Sequence, residues 1–115
     1  MVLPPEPLLP VPGEAQLKWH KAEYKMFIHF GMKTYYPSNN HKGDGKEDPQ
    51  RFNPSLFDAN QWVETAKSSG FDGIVFTTKH HDGFCNWPTK TTQHSVKLAP
   101  WKNGEGDIVK ELVEA

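Results

Sequence analysis

The chain has 115 residues, with 13 basic and 14 acidic side chains and a formal net charge of −1. That length holds one small domain, and the balanced charge leaves no basic stripe for nucleic acid and no pull toward an acidic partner. No apolar run approaches the roughly 18 residues that span a membrane, and the single cysteine, Cys85, excludes an internally stapled disulfide scaffold.

Residues 1–13 carry five prolines and no basic start followed by an unbroken apolar run. They predict an extended arm rather than a secretory signal. Glu14 to Lys25 is mixed, with Leu17, Trp19 and Tyr24 as apolar anchors, and fits a short helix. Met26-Phe27-Ile28-His29-Phe30, closed by Gly31, is rich in strand formers and predicts a first strand. Residues 33–54 hold Pro37, Pro49, Pro54, Gly43 and Gly45 among polar residues. They predict a long loop, and loops beyond about 12–15 residues usually have a function of their own. A helix then starts near Asp58. Asp58 and Gln61 make a capping box, Ala59, Trp62, Val63 and Ala66 share one face, and Gly70 is the stop. Gly73 to Thr78 predicts a second, buried strand. A second long loop runs from His80 to Gly106. Asp107 caps a last amphipathic segment with Ile108, Val109, Leu112 and Val113 on one face.

The order strand, long loop, helix, repeated, is that of a barrel or a doubly wound α/β sheet. Two such units do not close a sheet, so 14–115 is expected to be part of a larger domain, cut within the second helix after about two βα units.

The chemistry is expected at the strand exits, where ligand-touching groups sit in such folds. His29 ends the first strand. A lone histidine there is more often a half-buried, hydrogen-bonded side chain than a ligand-binding group. A second strand also ends in histidines, His80 and His81, which favours a shared site. Neighbours in extended backbone point to opposite faces, so both reach one pocket only if Asp82-Gly83 turns the chain. A neutral imidazole offers one donor and one acceptor, which suits vicinal hydroxyls. Asp82 fits a turn cap or a group orienting a histidine better than a catalytic carboxylate. Lys79 fits an outward side chain slightly better than a buried ion pair. Phe84, Trp87 and Trp101 fit pocket lining and core packing about equally well. No metal cluster with ligand spacing, no phosphate loop and no cofactor motif stands in the sequence. Nothing near Cys85 activates it as a nucleophile.

These residues carry a resemblance. Phe27-Ile28-His29-Phe30-Gly31, Trp62, Ala66-Lys67, the string Thr77-Thr78-Lys79-His80-His81-Asp82-Gly83-Phe84-Cys85-x-Trp87-Pro88 and Asp107-Ile108-Val109-x-Glu111-Leu112 resemble the N-terminal part of α-L-fucosidases of glycoside hydrolase family 29. The Gln16-Leu17-x-Trp19 lead-in and Gly104-x-Gly106-Asp107 look most like plant members. The resemblance implies the N-terminal portion of a (β/α)8 TIM barrel and retaining removal of terminal α-L-fucose from a fucosylated glycan. It implies a nucleophile and an acid/base about 5–5.5 Å apart, both beyond Ala115, so that no catalytic residue lies within this chain. It implies that His29, His80 and His81 bind fucose hydroxyls; Phe84, Trp87 and Asp82 stand beside them in the sequence as candidates for the pocket lining. It implies no cofactor, and secreted or lysosomal relatives. One departure is the stretch Ser38 to Gly45, where related sequences often carry a Glu-Trp pair and this one has no tryptophan. Two other readings stand beside it: a non-catalytic carbohydrate-binding or interaction fragment, and a metal-binding domain built on His29, His80 and His81.

Overall fold

A computed structural model describes residues 2–36 and 42–115. Met1 and residues 37–41, which include part of the predicted first loop and of the stretch compared with the Glu-Trp pair, lie outside the described residues.

Two parallel strands form the centre. β1 (Lys25–Ile28) pairs with β2 (Gly73–Phe76) in the register Lys25↔Gly73 through Ile28↔Phe76. Both stop two residues short of their predicted ends, so His29 stands just past the ladder. The helix α1 (Glu14–Lys21) precedes β1, α2 (Ala59–Ser68) joins the strands, and α3 (Ile108–Glu114) follows β2. This is the α/β order expected from the sequence.

Local chemistry sets the helix ends. Asp58 accepts a hydrogen bond from the Gln61 amide at 3.1 Å, and Gly70, at φ +82, closes α2 in the left-handed region. The reciprocal half of the expected box is replaced: Gln61 Nε2 turns to the Thr65 hydroxyl, 3.1 Å away. Asp107 caps α3 by accepting from the Lys110 amide at 2.8 Å. Ile108 is fully buried and Leu112 and Val109 are half-buried, but Val113 is 81% exposed, so the buried stripe is narrower than predicted.

The largest correction concerns the loops. They are not open connections but the core. Single turns of 3₁₀ helix at Met32–Tyr35, Pro49–Arg51 and Val96–Leu98, and a turn at Trp101–Gly104 that passes through the left-handed region at Lys102 and Asn103, fold them back. Met32, Phe52, Phe84, Val96, Ala99, Trp101 and Ile108 cluster there, buried. Aromatic rings close this space edge to face, such as Phe57 on Trp101 at 5.9 Å and 82°. The predicted anchors of α1 do the opposite. Leu17, Trp19 and Tyr24 are exposed, with Trp19 under the Lys25 ammonium and Tyr24 stacked on Phe71 at 4.4 Å.

The sheet has two apolar faces. Met26, Ile28, Ile74 and Phe76 are half-buried on one face, and α2 packs on β2. Phe27 and its register partner Val75 lie open on the other. Alternation places His29 and Thr77 on that second face, one step further along.

Candidate functional site

The backbone turns where the sequence places Asp82-Gly83. The Gly83 amide donates to His80 O at 3.0 Å, and Gly83 takes φ +78, which a β-carbon disfavours. Asp82, 3% exposed, accepts from the Phe84 amide at 3.0 Å. It therefore caps the turn, as a short carboxylate does in an Asx turn. The turn swings the paired histidines to one side. The His80 and His81 ring centroids are 4.4 Å apart, and His80 meets His29 at 5.2 Å.

Each ring is held differently. Thr77 reaches across the strands and places its hydroxyl 3.2 Å from His29 Nδ1. That contact holds the ring through Nδ1. Phe27 packs against the same ring at 4.5 Å. His81 Nδ1 pairs with the carbonyl of Gly43 at 3.3 Å. A β-carbon built on Gly43 would lie 2.0 Å from the His81 ring, so a larger residue would push that ring aside, and the φ of +66 favours glycine on its own. The buried Glu47 carboxylate gathers the turn beneath by accepting from the amides of Gly43, at 2.7 Å, and Gly45, at 3.1 Å.

The result is a cleft of about 450 Å³ with His29, His80, His81, Asp82, Thr77 and Lys33 on its walls. It suits a small polar ligand: rigid imidazoles on one side, and the apolar edge of Phe30 and Met32 on the other. Among the described residues no group of three or more His, Cys, Asp or Glu is placed to hold a metal ion. No helix of the described residues is long and apolar enough to cross a membrane.

Phe84 and Trp87, which the sequence left open between pocket lining and core packing, both stand apart from the histidine cleft. Phe84 is 2% exposed, 4.8 Å from Phe52, and belongs to the core. Trp87 is half-buried and lines a neighbouring hollow of about 600 Å³ with Cys85, His94 and Asp82. Trp101 is core as well. Thr77 and Gly43 touch the histidine rings, and the sequence alone did not single them out. Only the cross-strand register reveals Thr77, and Gly43 meets His81 across 38 positions.

Cys85 is buried, and burial pushes its thiol above the usual range, with Lys79 pulling it down and Asp82 adding to the rise. A raised thiol stabilises the fold below the unfolded thiol's pKa, and the contribution is lost as pH climbs through the folded value. Reaction with an aromatic disulfide reagent is expected to follow global unfolding in urea rather than precede it. Fast labelling of the native chain would contradict that burial.

The structure is an α/β unit whose polar side chains gather at the exits of two parallel strands, the place where α/β folds bind small molecules. The comparisons narrow the class. The profile of the α-L-fucosidase family matches residues 11–115, and the chain belongs to that family of glycoside hydrolases. It is 49% identical over 111 residues to α-L-fucosidase 1 of Arabidopsis thaliana, covering 96% of this chain and 22% of that protein. It superposes with a TM-score of 0.83 on a glycoside hydrolase 29 family member from an unknown rumen bacterium. That pair is 51% identical over 95% of this chain and 19% of the other. A Bacteroides thetaiotaomicron α-L-fucosidase, solved as a trapped covalent intermediate with 2-fluoro-fucosyl fluoride, gives 0.75 at 31% identity. The match covers 91% of this chain and 28% of that one. The chain thus spans about a fifth of the curated relative's length.

Proposed function

We propose that these residues form the first two βα units of a (β/α)8 barrel that removes terminal α-L-fucose from fucosylated glycans with retention of configuration. His29, His80 and His81 grip the sugar hydroxyls, and Asp82 holds the turn that presents two of them. The nucleophile and the acid/base belong to later strands, outside the fifth of the relatives that this chain covers.

The observation that carries this reading is the meeting of three imidazoles from two strand ends in one cleft. Two further observations support it. The open apolar pair Phe27 and Val75 lies on the histidine face, as residues pointing into a barrel do. A structural neighbour was caught as a covalent intermediate, which is the step that retention requires.

L-Fucose titrated into the labelled 115-residue chain is expected to shift the ring signals of His29, His80 and His81, with a dissociation constant in the roughly millimolar range of a few hydrogen bonds. An aryl α-L-fucoside is expected to show no enzymatic turnover. Ring signals unmoved by fucose would sink the sugar reading, and steady turnover would sink the assignment of the carboxylates to other strands.

A further inference from the structure

The sheet ends where a side chain takes over from the backbone. The last ladder-like bond is Thr77 N to Ile28 O at 3.0 Å. One step further, the carbonyls of Phe30 and Thr77 both receive the same donor, Asn86 Nδ2, at 2.9 and 3.3 Å. Asn86 is 2% exposed. Its main chain is engaged as well: the amide donates to Thr78 O at 3.0 Å, and the carbonyl accepts from Ile108 N at 3.1 Å. One residue therefore ties together the end of β1, the end of β2 and the first turn of α3.

The tie sits under the histidines. His29 immediately precedes Phe30, and its ring is held by the Thr77 hydroxyl. His80 follows Thr77 by three positions, and its ring meets that of His29 at 5.2 Å. Beyond the Thr77–Ile28 bond, the two backbone segments that carry these rings are thus tied to each other by one carboxamide.

A second observation agrees. Asn86 Oδ1 is buried and has no hydrogen-bond partner. Buried polar atoms are nearly always satisfied, so an orphan calls for a reason. Turning the amide over would press Oδ1 against two carbonyl oxygens. The nitrogen must face them, and the oxygen is left over. Leucine has a similar shape but would leave both carbonyls bare, and aspartate would set a carboxylate beside them.

We propose that Asn86 is the positioning residue of the histidine rim. It touches no ligand. It holds the exits of β1 and β2 at the spacing that lets His29 and His80 act on one molecule. The assignment rests on the sugar reading for only one of its measurements, the fucose affinity.

The test uses the isotope-labelled 115-residue chain. In the unmodified protein, the Asn86 carboxamide protons are expected to show couplings across hydrogen bonds to the carbonyl carbons of Phe30 and Thr77, and slow exchange. A freely exchanging amide without those couplings overturns the proposal. Asn86→Leu is expected to keep the ring-shifted signals of Phe52 and Phe84 while the His29 and His80 ring nitrogens move and L-fucose affinity falls about tenfold, the equivalent of one good hydrogen bond. Histidine ring signals that stay as in the unmodified chain overturn it. Should Asn86→Leu fail to fold, Asn86→Ser, which retains a single short donor, replaces it with the same readouts. If the unmodified chain ignores L-fucose, the sugar reading falls, and the ring signals alone still decide the role of Asn86.

Discussion

Phe52→Ala is expected to cost this chain most of its stability. Phe52 is fully buried, and its ring is ringed by others: Phe84 at 4.8 Å, Tyr35 at 5.3 Å, Phe30 at 5.8 Å and Trp101 at 6.4 Å. Truncating a buried phenylalanine costs about 3–5 kcal/mol through lost transfer energy and the cavity left behind. Domains of this size are stable by only about 5–15 kcal/mol, and this one leaves an apolar sheet face open. The neighbours are aromatic plates held by turns from separate loops, so they have little freedom to collapse inward. The variant should lose its near-ultraviolet dichroism and its cooperative urea transition while keeping part of the helical signal. Phe27→Ala is the control. Phe27 is 64% exposed and contributes far less to the core. If the two variants unfold at the same urea concentration, the loop-borne core described here does not hold this fold together.

The contrast between these two phenylalanines shows what the sequence discloses and what it hides. Strand formers, an acidic cap and a terminal glycine are local signals. They place β1, α2, β2 and α3 within a few residues, because the physics that makes each element acts within a turn or two. The core is not local. Phe52 and Trp101 sit in segments rich in proline, glycine and polar residues, which read as loops, and only the tertiary fold shows them packing on each other. Phe27 reads as an apolar strand residue, and it is exposed because the described residues supply no element to cover its face. The site divides in the same way. His29, His80 and His81 were legible because two strand exits carry the same unusual residue type. Their supports were not. Asn86 reaches Phe30 across 56 positions, and nothing in its own neighbourhood marks it. Phe84 stayed open between pocket and core for the opposite reason: it adjoins the turn that presents the histidines, yet its side chain packs in the core.

Asp82→Ala and Asp82→Asn are expected to behave differently, and the difference separates two roles for this carboxylate. If Asp82 works as the cap of the His80–Gly83 turn, what matters is an acceptor for the Phe84 amide, 3.0 Å away. Asparagine supplies one in the same place and adopts the same turn. Alanine supplies none and leaves the amide buried and bare. Losing a hydrogen bond to a charged group at a buried site costs about 1.5–3 kcal/mol. The consequence for the site should exceed that for the fold, because the turn is what brings His81 beside His80. Asp82→Ala should therefore abolish the fucose-induced shifts of both rings, and Asp82→Asn should preserve them to within about threefold, less than the worth of an ordinary hydrogen bond. Burial argues the same way. At 3% exposure the carboxylate is poorly placed to attack a sugar, and its geometry serves the backbone. Should asparagine prove as damaging as alanine, the negative charge itself is required, and Asp82 moves from the turn to the chemistry of the cleft.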